Sequence, residues 1–304
     1  MKIKRLIIFG DSLQDHGNLT KLLPLSPKAC HDGYFSNGPV AVYYLRDGLS
    51  QYYNDDINIH NFAVAGALAA TLNPNPLLMD KSLAVADQVD RFEHQFGRFN
   101  DDDLIVITGG GNNFFFSIVP DYPYLHLGNI YRVANDLERI VDRVCRLGAK
   151  EILLSNIPDV TAVPVFNYVP EGKKIKPLAK RHIIYKIRSI VKRYYLNRLT
   201  KENAKLDKKI DQLKVKYRDS QIHLFDGFRF MRRVMNKPFE FGFENATNPS
   251  ILSVGGFDLK GNIQSDTDIL VQENPDTHLF WDLVHPTTKA HQVVANEWLK
   301  YFIQ

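Results

Sequence analysis

The first segment able to do chemistry is a short turn near the amino terminus. The apolar run Leu6-Ile7-Ile8-Phe9 is followed directly by Gly10-Asp11-Ser12. A serine on a tight turn after a strand suits a nucleophile, and the backbone N–H groups of such a turn can bind a developing oxyanion. Because turns of this kind are also used structurally, this segment alone does not establish a catalytic serine.

A second polar pair lies near the other end of the chain. Asp282 and His285 are three residues apart, so a helical turn would place both side chains on one face. The carboxylate would accept from one imidazole nitrogen and leave the other nitrogen as a general base. The alternative is an Asp-capped turn in which the histidine has no chemical role, and the adjacent Pro286 fits both interpretations.

Two further segments carry groups that can bind an oxyanion. Gly66 follows the second predicted strand, and Asn112 follows the third within Gly109-Gly110-Gly111-Asn112-Asn113. Glycine lets a backbone N–H approach a ligand closely, and an asparagine amide donates two hydrogen bonds. Ligands of open α/β sheets bind at the carboxyl ends of the strands. We therefore expect Ser12, Gly66 and Asn112 to meet at one edge of a sheet.

Short apolar runs alternate with longer helical patterns along the chain. The predicted strands are Lys4–Phe9, Ile57–Phe62, Leu104–Thr108, Glu151–Ser155 and Ile222–Phe225. The predicted helices are Pro39–Leu49, Leu83–Phe96, Ile130–Leu147, Ile183–Tyr217 and Thr288–Phe302. Strands joined by right-handed crossover helices form a sheet that is covered on both faces. The pattern predicts an α/β protein with three α/β/α layers and a central, mostly parallel five-stranded sheet, in one domain of residues 1–304.

The four segments, in this order, resemble the sequence blocks of the GDSL family of the SGNH hydrolase superfamily. Further matches are Phe35–Pro39, Phe241–Asn245 and Phe280–His291. These resemble the bacterial lipolytic branch, with its lysophospholipases, phospholipases A and lipid acyltransferases. The resemblance implies the flavodoxin-like SGNH fold and acyl transfer through a covalent acyl-enzyme.

Carried over residue by residue, the resemblance implies a Ser12–His285–Asp282 triad. It implies an oxyanion hole made of the N–H of Ser12, the N–H of Gly66 and the amide of Asn112. The family usually reads Gly-x-Asn-Asp in its third block. Asn113 stands at the last of these positions, so how this loop is held stays open.

Composition excludes several other classes of protein. The chain has 304 residues, of which 44% are hydrophobic, and a net charge of +4, which does not call for a nucleic-acid partner. Cys30 and Cys145 are too few for a disulfide scaffold or a four-cysteine zinc site. The sequence lacks a Gly-x-Ser-x-Gly elbow, a Walker A loop and a His-Glu-x-x-His pattern, so we expect no metal and no cofactor.

Localisation is not fixed by the sequence. No apolar run approaches the roughly 20 residues that span a bilayer, and the run after Met1 is too short for a secretory signal. We expect a protein that is cytoplasmic, that is exported without a signal peptide, or that was sequenced in a mature secreted form.

Three features bear on the substrate. Phe114, Phe115 and Phe116 follow Asn112, and they predict either core packing or an apolar wall for an acyl chain. The segment 228–280 predicts a lid or substrate-binding insertion. Residues 173–218 hold 17 Lys/Arg and 3 acidic residues.

Within this basic segment, apolar residues recur at spacings of three and four: Ile183, Ile187, Ile190, Tyr194, Leu206, Ile210, Leu213 and Tyr217. The spacing predicts an amphipathic helix with its apolar stripe on the core and a basic outer face. That outer face is either simply solvated or a contact with an anionic membrane.

Together these features predict a serine hydrolase of lipid acyl esters, a lysophospholipase or phospholipase A with acyltransferase capacity. One alternative is a general carboxylesterase acting on short-chain or carbohydrate esters. The other is a catalytically silent module that binds membrane surfaces. The intact set of Ser12, Asp282 and His285 argues against the silent module.

Overall fold

Five parallel strands form the central sheet in the computed structural model. They are β1 (Arg5–Phe9), β2 (Asn58–Asn61), β3 (Asp103–Ile107), β4 (Glu151–Ser155) and β5 (Gln221–Phe225). Their order across the sheet is β2-β1-β3-β4-β5, and every neighbouring pair is parallel. The structure describes residues 2–22, 30–70, 84–118, 130–166, 178–251 and 270–303. The predicted α/β/α fold with a parallel five-stranded sheet is confirmed.

Helices cover both faces of this sheet. They are α1 (Ala41–Tyr53), α2 (Val85–Phe96), α3 (Gly111–Ile118), α4 (Val133–Arg146), α5 (Leu178–Lys216), α6 (Gly227–Asn236) and α7 (Thr288–Leu299). One apolar core joins the sheet to α2, α4 and α5, and a second joins it to α1, α6 and α7. The strand residues alternate between the two cores, which explains why buried parallel strands read as unbroken apolar runs.

A partly buried ion pair fixes the alignment of β1 and β3. Arg5 and Asp103 are paired neighbours on β1 and β3. The Arg5 guanidinium donates Nε to Oδ1 of Asp103 at 2.7 Å and Nη2 to Oδ2 at 2.6 Å. Because the Asp103 side chain is fully buried, a shift of either strand would leave that carboxylate without its partner.

Strand order explains where a site can form. In the order β2-β1-β3, the chain reverses its direction of progression between β1 and β3, and a crevice opens beyond their carboxyl ends. Ser12, Gly66 and Asn112 follow β1, β2 and β3 respectively. The sheet therefore carries all three residues to the same edge.

The structure adds elements that the sequence patterns did not predict. Helix α6 follows β5, and a small parallel pair, β6 (Asn245–Pro249) and β7 (His278–Phe280), packs beside it. Both cysteines are buried and free. No helix in the described part of the chain is both long and apolar enough to cross a bilayer.

The apolar stripe predicted along α5 is wrong at two positions. Leu206, Ile210 and Leu213 are buried as expected, but Ile190 is 50% exposed and Tyr194 is 44% exposed. Tyr195 and Leu199 are the residues buried at this level. The reason is the rotation of the helix: at 3.6 residues per turn, Tyr194 and Ile190 lie about 120° and 160° away from Leu206 round the helix axis, so they do not share its face.

Candidate active site

The structure brings Ser12, His285 and Asp282 into one hydrogen-bonded chain. Nε2 of His285 lies 2.9 Å from Oγ of Ser12, and Nδ1 of His285 lies 2.7 Å from Oδ2 of Asp282. With Nδ1–H donating to the carboxylate, Nε2 is an acceptor for the serine hydroxyl. Residues 273 positions apart thus form the arrangement of a nucleophile, a base and an orienting acid.

The turn from Asp282 to His285 holds the imidazole in place. Oδ1 of Asp282 accepts from the N–H of Val284 at 2.7 Å and from the N–H of His285 at 2.6 Å. Burial raises the pKa of Asp282, but the charge of His285 and these hydrogen bonds hold that pKa below its usual value. Burial lowers the pKa of His285, but the charge and hydrogen bond of Asp282 outweigh it and raise that pKa. The pair therefore favours an ionised acid beside a histidine that readily takes a proton.

Three candidate oxyanion donors follow β1, β2 and β3 at the edge of the sheet that carries Ser12. Within the described residues, the backbone N–H groups of Ser12 and Gly66 donate to no acceptor. The amide of Asn112 donates one hydrogen bond to the carbonyl oxygen of Ala67 at 3.0 Å, which orients the amide and leaves its second N–H to a ligand. Gly66 has φ +80°, a left-handed conformation that a side chain would strain.

Asn113 supports the loop that carries Gly66. Its Oδ1 accepts from the N–H of Ala69 at 3.0 Å. The residue is buried, so a neutral amide here satisfies a buried donor without burying a charge. This answers how the loop is held where the related pattern has an aspartate.

Two positioning residues had not been singled out from the sequence. Asp15 has no exposed surface, and its carboxylate accepts from the N–H groups of Asn18, Leu19 and Ala65 at 2.7, 3.1 and 2.8 Å. It therefore joins the Ser12 turn to the Gly66 loop. Its proximity to Ser12 in sequence was the available signal.

Gln88 on α2 is the other positioning residue. Its Oε1 accepts from the N–H of Gly10 and its Nε2 donates to the carbonyl oxygen of Gly10, both at 2.8 Å. A Cβ at Gly10 would lie 2.5 Å from Oγ1 of the buried Thr108, so a larger residue there would force Thr108 to move. Nothing in the sequence pattern of α2 pointed to Gln88.

The segment Phe35–Pro39 supports the His285 loop. The Phe35 ring lies 5.3 Å from the His285 ring, centroid to centroid. Oγ of Ser36 donates to the carbonyl oxygen of Pro286 at 2.9 Å, and Oδ1 of Asn37 accepts from the N–H of Thr288 at 2.8 Å. These contacts give a physical role to a match that the sequence showed without explaining.

An apolar cavity adjoins the nucleophile. It has a volume of about 180 Å³, and its lining includes Ser12, Asn112 and His285. The rest of the lining is mostly apolar and comes chiefly from α6, β7, α7 and the loop after β4, including Val160, Val163, Phe230, Met231, Val234, Phe243, Leu279, Phe280, Val293, Val294 and Trp298.

The phenylalanines that follow Asn113 have different surroundings in the structure. Phe115 lines the cavity, whereas Phe114 is fully buried in the core shared with α2 and α4. The side chain of Phe116 lies outside the described residues. Of the predicted lid, residues 228–251 and 270–280 are described, and several of them line the cavity; residues 252–269 are not described.

No cluster of three or more potential metal ligands occurs among the described residues.

Comparison with known proteins gives one family. The model described as GDSL-like lipase/acylhydrolase matches residues 6–298. Thermolabile hemolysin from Vibrio parahaemolyticus is 25% identical over 98% of this chain and 64% of its own length. Secreted effector protein SseJ from Salmonella typhimurium is 24% identical over 96% of this chain and 62% of its own length. This chain thus spans less than two thirds of both bacterial relatives.

Two further likenesses extend the comparison. A GDSL esterase/lipase from Arabidopsis thaliana is 23% identical over 97% of this chain and 90% of its own length. The solved structure of an acetylxylan esterase from Geobacillus stearothermophilus matches with a TM-score of 0.51 and 16% identity, covering 99% of this chain and 95% of that one. At this identity the structural likeness bears on the fold alone.

Proposed function

This chain belongs to the GDSL-like lipase/acylhydrolase family and is a carboxylic ester hydrolase, and we propose that its substrates are acyl esters of lipids. The more specific proposal is a lysophospholipase or phospholipase A that can also pass the acyl group to an alcohol. Ser12, His285 and Asp282 are the proposed triad.

The cavity beside Ser12 carries the proposal. Its walls are formed mainly by apolar side chains, and Ser12, His285 and Asn112 belong to the same lining. Such a lining favours the burial of a hydrocarbon chain, at roughly 25 cal/mol for each Å² removed from water. The name hemolysin, given to the Vibrio relative, denotes damage to red blood cells and is in keeping with a membrane-lipid substrate.

The proposed reaction proceeds through an acyl-enzyme. Nε2 of His285 accepts the Ser12 proton while Oγ attacks the ester carbonyl, and Asp282 stabilises the resulting imidazolium. The tetrahedral intermediate collapses, the C–O bond to the leaving alcohol breaks, and His285 returns the proton to that alcohol. Water or an acceptor hydroxyl then attacks the acyl-enzyme with His285 again as the base, which regenerates Ser12.

The negative charge of each intermediate is assigned to three donors. These are the N–H of Ser12, the N–H of Gly66 and the second amide N–H of Asn112. The absence of any competing acceptor for the two backbone groups among the described residues supports this assignment. Donors that are already in place need no reorganisation when the charge develops.

The basic segment 173–218 is proposed as a contact with anionic membranes. Residues 173–177 lie outside the described residues, and α5 contains the remainder up to Lys216. No nucleic-acid partner is part of the proposal.

The test measures fatty-acid release from lysophosphatidylcholine beside hydrolysis of a short p-nitrophenyl ester. Ser12→Ala is expected to lower kcat at least roughly 10³-fold on both substrates, and Asn112→Ala roughly 10²–10³-fold. Ser220→Ala is the matched control, because Oγ of Ser220 bonds to the carbonyl oxygen of Ala149 beyond the opposite edge of the sheet.

The outcomes separate the hypotheses. Fatty-acid release that is lost in Ser12→Ala and kept in Ser220→Ala supports the proposal. Turnover of the short ester alone would favour a general carboxylesterase for short-chain or carbohydrate esters. Ester turnover that survives Ser12→Ala would remove the proposed nucleophile, and no turnover together with vesicle binding would favour the silent module.

A further inference from the structure

Helix α5 extends far beyond the edge of the sheet where Ser12 lies. The side chain of Asn203 is tied to Ile157, two residues after β4 ends: Oδ1 accepts from the N–H of Ile157 at 3.1 Å and Nδ2 donates to its carbonyl oxygen at 2.8 Å. Position 203 therefore marks the level of the carboxyl ends of the strands. The helix starts at Leu178, 25 residues earlier. At 1.5 Å per residue, about 37 Å of helix lies on the far side of this level.

The projecting part of α5 runs beside the active-site helix α3. Oγ of Ser117 donates to the hydroxyl of Tyr195 at 3.1 Å, and that hydroxyl donates to the carbonyl oxygen of Ser117 at 3.0 Å. Asn112, in the first turn of α3, is five residues from Ser117, or about 7.5 Å along the helix. Tyr195 thus contacts the helix that carries Asn112, about one and a half turns from that residue.

Next to Tyr195 the structure exposes apolar and aromatic surface. Ile190 is 50% exposed, Tyr194 is 44% exposed and Tyr131 is 41% exposed. The hydroxyls of Tyr131 and Tyr194 are hydrogen-bonded to each other, and the Arg198 guanidinium lies 4.1 Å from the centre of the Tyr131 ring. We call Tyr131 together with residues 189–198 the α5 tip.

The first 24 residues of α5 carry side-chain charge of one sign. Residues 178–201 contain eight Lys/Arg and no Asp or Glu. The first acidic residue is Glu202, which is buried and paired with Arg198. Tyrosine rings suit the interface between headgroups and acyl chains, and Lys and Arg suit anionic headgroups.

We propose that the α5 tip docks on an anionic lipid surface and so presents the site to lipid esters. This rests on the proposed function and narrows the membrane contact from the whole basic segment to one end of α5. Exposed Ile190 favours a lipid surface over a purely phosphate-bearing polymer, because it offers hydrocarbon rather than a hydrogen bond. Val215 is also exposed, but it lies at the other end of α5, away from the site.

The test compares binding to vesicles of phosphatidylcholine alone with binding to vesicles that also contain phosphatidylglycerol. Three variants change the α5 tip: Arg193→Gln, Ile190→Ser and Tyr194→Ser. Their matched controls are Lys208→Gln and Val215→Ser, at exposed positions toward the other end of the helix. Hydrolysis of a short soluble ester is measured for every variant, because it reports the site without a membrane.

Wild-type protein is expected to bind the anionic vesicles more tightly and to lose this preference in high salt. Arg193→Gln should weaken partitioning about fivefold, the loss expected for one well-placed basic residue. The combined variant Ile190→Ser/Tyr194→Ser should weaken partitioning more than Arg193→Gln does. Partitioning of both control variants and the soluble-ester rates of all variants should stay unchanged.

Each result bears on the proposal separately from catalysis. Equal loss from tip and control variants would overturn it, since binding would then reflect net charge. Wild-type binding to neither vesicle would overturn it whatever the ester assays show. Docking that depends on the tip, in a protein that releases no fatty acid, would support the surface and remove lipid esters as the substrate.

Discussion

Asp15 offers the sharpest test of how the oxyanion donors are positioned. Its carboxylate accepts three backbone N–H groups, and one of them belongs to Ala65, the residue before Gly66. Asp15→Ala removes both acceptor oxygens and leaves the three N–H donors without this partner. At about 1–3 kcal/mol for each unsatisfied buried donor, the free energy of unfolding should fall by about 3 kcal/mol at the least.

The effect on catalysis follows from the freed Gly66 loop. Misplacing one oxyanion donor should lower kcat on a short ester by about 10²-fold. KM should change much less, because Asp15 is not among the described residues that line the cavity. Asp15→Asn is the graded variant: its carbonyl oxygen can replace Oδ2, which serves Leu19 and Ala65, so only the Asn18 bond is lost and kcat should stay within about tenfold.

The assay combines ester kinetics with urea unfolding, and Asp136→Ala is the control. Asp136 is also a buried carboxylate, but its ion pairs are with Arg132 and Arg139 in and beside its own helix. The Asp136→Ala protein should be less stable than wild type and should keep its kcat. A folded Asp15→Ala protein with kcat within about threefold of wild type would refute the reasoning. The Gly66 loop would then keep its conformation without the Asp15 carboxylate.

The pKa of Asp15 gives a second readout of the same residue. Burial raises it to about 6, against 3.8 for a free side chain, despite the opposing N–H bonds. The folded state therefore binds more protons than the unfolded state between these values, and Asp15 makes stability fall as pH rises from about 4 to about 6. The difference corresponds to about 3 kcal/mol, which Asp15→Asn should abolish in unfolding curves measured across this range.

The remaining predictions concern the triad and the cavity. Neutral His285 is the proposed base, so kcat should rise with pH through a pKa above that of a free histidine, because the effect of Asp282 outweighs that of burial. Asp282→Asn should move this rise of kcat to lower pH and reduce kcat about 10⁴-fold. A rise at the same pH as in wild type, in a pH–rate profile, would contradict the assignment. Met231→Trp should narrow the cavity wall and lower kcat/KM for long-chain esters more than for short ones, in a series of p-nitrophenyl esters. Equal effects at every chain length would mean that the acyl chain lies elsewhere.

The strands were predictable because burial on both faces leaves a simple signal. Predicted and observed bounds agree for Glu151–Ser155, and for the strand after Met1 they differ by one residue. Both cores draw on β1, β3, β4 and β5, so apolar residues dominate these four strands. Since parallel strands carry their following residues to one edge, the meeting of Ser12, Gly66 and Asn112 followed from strand order.

The cavity could not be predicted in the same way. Val163, Phe230 and Val293 are apolar residues on separate elements, and in sequence they look like any other core residues. Whether such residues close against each other or leave a void depends on how α6, β7 and α7 pack. Gln88 and Asp15 escaped notice for a related reason, because their roles consist of hydrogen bonds to backbone groups that the sequence does not mark.

In helix α5 the spacing of apolar residues did not predict correctly which of them are buried. Leu206 and Ile190 belong to the same spacing pattern, yet one is buried and the other is half exposed. Each group of residues is spaced by three and four, but the two groups are out of phase, so Ile190 lies about 160° from Leu206 round the helix. The strands end at the level of position 203, while the helix began 25 residues earlier. Past that point Tyr195 and Leu199 still pack in the core, whereas Ile190 and Tyr194 do not. The core of this domain therefore does not explain these two exposed residues. Their place beside Tyr195, which contacts α3, and their basic neighbours fit the anionic lipid surface proposed as their partner.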